Sequence, residues 1–543
     1  MRRRVPVALV LIGWVYLGCA PADRKADNLQ VSTRPQPGGT LVVAASTDIG
    51  GVNELLSATG SFTQSVLQLM FLQLFQEQPD FDQHPPTFAP ELAERWDWSA
   101  DHLTLTVHLR HDVYWSNGEP VTAEDVEWTW RAQTHPAVAW AHAESKDNIA
   151  VIEALDAHTL RVSFHERSVH QLADLNEGVI LPRSVWSQVP FSEWRQSADW
   201  FLDHLVTNGP FSLGSWERQQ QISLVRNEAF YVPERPFLDA VVFRIVPEKS
   251  NQVGHLLAGE AQFVDHVPAS EAARVSNRPD LNLISYWARQ YNFICWNTTH
   301  DLFADQAMRQ ALTFAIDRQA LVDALWFGHA RVASSPIPSS VWAHNPAITP
   351  LPYNPRAARS IFEDRGWRDT DGDGILDLDG RPLAFELLTN TSSAVRVDAA
   401  VMIQEQLRRV GIQVEVKRLE FNTLIELAMA HDFDALLSGW TIDTSLGLDY
   451  AFHSESIQDG YNFGGFSNPD VDQLLEAARG LDTPEQQGRS LADLQVILHE
   501  QQPYTFLWEP QRLTGVSVRL RDAQPNSLDP FFQIENWWLE PTG

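Results

Sequence analysis

Two hydrophobic periods alternate along this chain, and their alternation confines it to a mixed α/β fold. Over 102–110, Leu103, Leu105, Val107 and Leu109 point one way while Thr104, Thr106 and His108 point the other, the period of a half-buried strand. Residues 159–164 repeat the alternation, and 40–44, after Gly38-Gly39, read as another strand. Elsewhere the spacing is helical. Met308, Leu312, Ala315, Ile316, Val322, Leu325 and Trp326 share one face over 308–327, which predicts a single helix stopped by Gly328. Further along, 397–410 reads as a helix closed by Gly411, 412–416 as a strand, 422–430 as a helix and 433–439 as a strand. Pro469, behind Asn468, starts a helix through Arg479, and a last long helix covers 484–500. There is no internal repeat. With 543 residues the chain can build several domains and more than one core.

The start of the chain reads as an export signal. Arg2, Arg3 and Arg4 precede an apolar run over 5–17, too short to cross a roughly 30 Å hydrocarbon core as a helix. The run ends in Tyr16-Leu17-Gly18-Cys19, which resembles a bacterial lipoprotein lipobox, although Tyr16 stands where Leu is usual. That resemblance implies a signal over 1–18, a lipid on Cys19 and a membrane-anchored protein; the alternative is an ordinary signal peptide containing a cysteine. Residues 19–37 are polar and Pro-containing, a flexible tether. The formal net charge of −30, with only four lysines and no basic patch, argues against nucleic acid as a partner. Cys19 and Cys295 are the two cysteines, so there is no disulfide framework.

Several segments carry a family resemblance. The runs Pro90–Trp96 (written PELAERW) and Trp115–Val126 (WSNGEPVTAEDV) resemble those of the family 5 extracellular solute-binding proteins, the peptide-binding components of ABC importers. Thr207-Asn208-Gly209-Pro210-Phe211 with Leu224-Val225-Arg226-Asn227 is similar to the family's next block. So are Met308-Arg309-Gln310-Ala311-Leu312 with Ala315-Ile316-Asp317-Arg318, the Pro336-Ile337-Pro338 turn, Asp371-Gly372-Asp373-Gly374 and 466–475. The likeness implies a class II periplasmic-binding-protein-like α/β fold, with two lobes around a cleft plus an extra domain. Mapped here, domain I takes 38–80, 187–288 and 505–543, domain II takes 81–186, and domain III takes 289–504. It further implies a monomer without cofactors that closes over a solute and delivers it to ABC permease subunits.

Candidate ligand residues follow from the same resemblance. In peptide-binding relatives a Gly-Trp-x-x-Asp pattern supplies an aspartate for the peptide ammonium; here Gly439-Trp440-Thr441-Ile442-Asp443 offers Asp443, with Trp440 and Thr441 beside it. The alternative for Asp443 is a cap on the following turn. Tyr461 and Asn462 sit where family members meet the ligand, and Tyr291 and Phe293 share a strand face with Cys295; core packing is the competing reading for each. Thr444-Ser445-Leu446-Gly447 and Leu437 depart from peptide binders, which leaves nickel complexes, haem or oligosaccharides as other ligands and a sensor role as another use. Asp369, Asp371, Asp373 and Asp377 imitate half an EF-hand loop, but Gly380 stands where a bidentate Glu is required, so a hairpin turn is the better reading than calcium. No catalytic nucleophile or zincin motif is present, which argues against a secreted hydrolase. Thr122-Ala123-Glu124-Asp125 reads as a helix cap, and Cys295 as an inert core thiol.

Overall fold

The computed structural model describes residues 34–57, 61–479, 481 and 483–541, with the backbone alone at Ser61 and Asp459. The expected signal segment, Cys19 and most of the tether lie outside the described residues. Among the described residues, twelve strands join into one mixed sheet. One part holds Thr40–Ala45, Phe211–Glu217, Gln221–Arg226, Ala240–Ile245, Phe263–Val264 and Leu281–Trp287; Thr40–Ala45 runs parallel to Ala240–Ile245. The other part holds Gln290–Trp296, Ala330–Val332, Ala384–Asn390, Gln413–Leu419 and Ala435–Thr441.

One strand belongs to both parts. The first residues of Tyr504–Ser517 pair with Gln290–Trp296, setting Tyr504 opposite Cys295 and Trp508 opposite Asn292. From Gln511 onward the same strand pairs with Leu281–Trp287. The chain therefore crosses between the two lobes at 287–290 and again near 510. The return crossing falls later than the expected 504/505 boundary, because an unbroken strand carries it and hydropathy shows no interruption there.

A separate antiparallel sheet, in the order Ala93–Trp98, Thr104–Leu109, Thr159–Phe164, Ile149–Asp156, occupies the inserted segment. Leu105, Val107 and Leu109 are buried, as their alternation requires. The helix Ala123–Gln133 packs on this sheet, and its start is fixed by Asp125, which accepts from the Thr122 N–H at 2.8 Å. The core of this sheet is continuous with that of the first lobe. The insert and the first lobe thus form one side of the molecule.

Side chains from the familiar sequence blocks hold chain segments together. Asn208 accepts from the Leu72 N–H at 2.9 Å, and a Cβ at Gly209 would come within 2.6 Å of the Met70 carbonyl carbon, so only glycine lets the two segments touch. Arg309 is buried and donates to the carbonyls of Phe303, Ala304 and Gln501. The helix expected over 308–327 is two helices, Gln306–Ala315 and Arg318–Trp326. Ile316 leaves the helical region, and Asp317 caps the second helix by accepting from the Ala320 N–H at 3.0 Å. The break lets Arg318 turn inward and donate to the Phe506 carbonyl at 2.9 Å. Beyond the second helix Phe327 adopts the left-handed conformation, with Gly328 following it at positive φ.

Candidate functional site

A cleft of about 900 Å³ opens between the two sides. Its first-lobe wall comes from the end of the strand Thr40–Ala45, the helix Ser61–Gln68 with the chain after it, and the segment 526–535. The insert contributes His142, Glu144, Asp174 and Glu177, and the second lobe contributes Thr441, Asp443, Thr444 and Ser445. Ala288, Arg289 and Gln290 line it from the first crossing. Away from the crossings the two sides also touch through Trp342 N–H to Phe81 C=O at 3.0 Å and through His170 Nε2 and Gln487 Nε2 at 2.7 Å.

Nine carboxylates and three Lys or Arg line this space, so its field favours cations. Burial pushes Glu91 up to about 8, only partly offset by the hydrogen bond from Gln73 N–H. Glu77 rises to about 7 by burial, against the pull of Arg289. Asp174 also rises to about 7 by burial, opposed by Lys146 and reinforced by Asp443. Burial lifts Asp529 to about 7 as well, beside Asp265 and Glu535. Arg289 is held below its usual range by burial, while Glu77 and Asp443 act to keep it charged. Its Nε donates to the Ser527 carbonyl at 3.3 Å, and its Nη1 is buried without a hydrogen-bond partner.

Asp443 lies two residues beyond the strand Ala435–Thr441, exposed to the cleft. Its Oδ1 accepts from Ser445 N–H at 3.1 Å and Ser445 Oγ–H at 2.6 Å, so the turn-capping reading describes this oxygen. Among the described residues no donor reaches Oδ2. One carboxylate oxygen thus orders the turn and the other faces the cavity. Thr441 lines the cleft beside it.

The remaining candidates lie behind Asp443. Trp440 stacks on Phe293 (centroids 6.2 Å apart) and on Phe463 (5.8 Å), with Tyr461 edge-on at 6.0 Å. Tyr461 is exposed, whereas Tyr291 and Phe293 are fully buried in the second-lobe core with Cys295. Asn462 is buried and donates to the carbonyls of His453 and Phe466, which fixes a loop. The structure therefore brings Asp443 and Thr441 into the cleft lining and leaves Trp440, Tyr461, Tyr291, Phe293 and Asn462 outside it. Burial pushes the Cys295 thiol far up, which keeps it protonated.

In the acidic loop, the carboxylates of Asp369, Asp371 and Asp373 gather within 4.8 Å of one another. Each accepts a backbone N–H of the loop, from Gly372, Asp373 and Ile375 respectively, and Asp377 stands apart, accepting from Thr370. This is the bonding of a hairpin turn. Glu77, Asp174, Lys249, Arg289 and Arg512 line the cleft without having stood out in the sequence. Each is an isolated charge in a separate segment, and no spacing links them.

Residues 87–459 match the family described as bacterial extracellular solute-binding proteins, family 5 Middle. The oligopeptide-binding protein AppA of Bacillus subtilis is 29% identical over 552 residues, spanning 99% of this chain and 100% of that protein. The structure of AppA from Bacillus subtilis in complex with a nonapeptide aligns with a TM-score of 0.79 at 28% identity, covering 94% of this chain and 100% of that one. NikZ from Campylobacter jejuni in complex with Ni(L-His) aligns with a TM-score of 0.78 at 22% identity, over 92% and 99% of the two chains, a likeness of fold.

Proposed function

The chain belongs to the bacterial extracellular solute-binding proteins of family 5, and from that membership and the cleft we propose that it captures peptides and delivers them to an ABC permease. The observation that carries the reading is the open Oδ2 of Asp443 in an acid-lined cavity of about 900 Å³. A carboxylate placed there takes an ammonium by a charge-assisted hydrogen bond. Thr441 adds a hydroxyl beside it. The likeness to a nonapeptide-bound oligopeptide-binding protein supports the same ligand class.

Closure follows from the two crossings. The first lobe and insert move as one side, the second lobe, 289–510, as the other, with backbone rotation concentrated at 287–290 and near 510. A ligand bridging Asp443 and the first-lobe wall binds the closed form better than the open one, and this difference drives closure. The chain binds without chemistry, as a monomer. A lipid on the lipobox-like Cys19 anchors it to a membrane on the extracytoplasmic side, where it meets the permease.

Titration calorimetry with a sequence-randomised nonapeptide pool tests the reading. Asp443→Asn is expected to weaken binding of free-amine peptides by about ten- to a hundredfold, the worth of one charged hydrogen bond. It leaves N-acetylated peptides unaffected. Absence of peptide binding by the unaltered protein overturns the function, and equal binding by Asp443→Asn overturns the anchor.

A further inference from the structure

We propose that Phe81 and His170 form a latch, which holds the two sides of the molecule together without ligand and lifts before the cleft exchanges its contents. The inference goes beyond peptide capture: it concerns how closure is balanced, and its test needs no ligand. Phe81 belongs to the first side, in the loop 78–87 between the paired strands Phe75–Glu77 and Phe88–Pro90. It is the one buried residue of that loop, at 5% exposed. Its ring joins a core whose other members all belong to the second lobe, and Arg289 at the first crossing lies over that ring, 5.8 Å from its centroid. Its carbonyl accepts from Trp342 N–H at 3.0 Å.

Both bridges land on one patch of the second lobe. A Cβ at Gly488 would come within 3.1 Å of Trp342 Cζ3, so the indole lies against the helix Pro484–Gln501 at the residue after Gln487. Gln487 is buried, and its Nε2 donates to His170 Nε2 at 2.7 Å. On the first side, Glu77 lies four residues before Phe81 and Asp174 four after His170, and both line the cleft. The latch therefore stands at the edge of the cavity.

The arm that carries Phe81 is braced from within. Gln78 N–H donates to the Thr87 carbonyl at 2.9 Å, Gln83 N–H donates to the Asp80 carbonyl at 3.0 Å, and the Thr87 hydroxyl donates to the Asp80 carboxylate. None of these bonds reaches the second lobe. Withdrawing Phe81 therefore breaks its bond to Trp342 and bares its ring, while the loop keeps its shape.

Opposed terms make this contact reversible. Burying a phenylalanine ring favours the latched form by about ten- to a hundredfold. Against it, Gln487 Oε1 is buried with no hydrogen-bond partner among the described residues, although the same amide donates across the interface. Water satisfies that oxygen once the sides part, which favours opening. A ligand that bridges the two sides adds to the first term and keeps the latch down.

Spin labels on the two sides read the latch in the ligand-free full chain, one at Ala150→Cys in the insert and one at Glu415→Cys in the second lobe. Both positions are exposed, Cys295 is buried, and Cys19→Ser removes the other thiol. With Phe81 in place a short label-to-label distance is expected to dominate. Phe81→Ala is expected to lower the ratio of short to long distances by about tenfold or more. Phe81→Leu, which keeps an apolar side chain there, should restore most of it. A distribution unchanged by Phe81→Ala makes Phe81 a fixed joint and overturns the latch, as does a single long distance with Phe81 in place. Hydrogen exchange in the unaltered protein answers independently of any variant's folding. The Trp342 amide is expected to exchange faster than the core amides of Tyr504–Ser517, because the latch lifts without global unfolding; equal protection overturns it.

Discussion

Asp443 and Arg512 face one cavity from opposite lobes, and their surroundings differ in kind. Around Asp443 the acids Glu77, Asp174 and Glu177 outnumber the two cations that act on them, Arg289 at the crossing and Lys146 behind Asp174. Around Arg512 two cations meet Asp265 and a neutral histidine. The contrast teaches that a net charge of −30 is not spread evenly over the binding surface. A uniformly acidic cleft would select any cation, whereas Lys249 and Arg512 give this one a local positive patch within an acidic lining.

The largest effect should come from blocking both ends of one ligand. If the ends act independently, a peptide both acetylated and amidated loses the product of the two separate factors, within about 0.3–0.5 kcal/mol. Competition binding against the unblocked pool measures this. A combined loss no greater than the larger single one would show that the two ends are not read separately.

Stability should separate the acid-rich walls next. Glu54, Glu77, Glu91, Asp174 and Asp529 all have folded pKa values above their unfolded ones. The folded chain thus holds protons that the unfolded chain releases above about pH 4–4.5, and stability declines as pH rises from there through 7 to 8. Glu91→Gln keeps an acceptor for the Gln73 N–H and removes one of these titrations. Its melting temperature should exceed that of the unaltered protein by a few degrees at pH 9 and match it at pH 4, as thermal scans across pH would read. A gain of equal size at both pH values would assign the effect to packing.

The smallest effect concerns protons moved on binding. An ammonium arriving beside Asp443 lowers the pKa of Glu77 and Asp174, both near 7, so binding at neutral pH should release a fraction of a proton. Calorimetry in buffers of different ionisation enthalpy measures that fraction. N-acetylation should abolish it, and a release that persists with N-acetylated peptides would detach it from Asp443.

Much of the fold was legible because its signals are local. The alternation at 159–164 coincides with the strand Thr159–Phe164, and Asn468-Pro469 starts the helix Pro469–Arg479. The misread helix at 308–327 shows the limit. Its apolar face continues through the break, and only Arg318 reaching the Phe506 carbonyl, a strand remote in sequence, shows why it stops. In the site, Asp443 stood out through Gly439-Trp440 before it, while Tyr291 and Phe293 were equally visible and are packed in the core. An aromatic residue on a strand has the same pattern whether its face meets a cleft or another layer.

What the sequence determined by itself is the class of the chain: mixed α/β, carrying the blocks of a solute-binding family, with an acidic residue at one strand end. The tertiary structure decided the rest of the cleft. Glu77, Asp174, Lys249, Arg289 and Arg512 come from five separate segments, and a single strand, Tyr504–Ser517, joins the lobes on which they meet. Charges so far apart in the chain leave no period to read, because their spacing is set by how the two lobes are joined and not by neighbours in sequence.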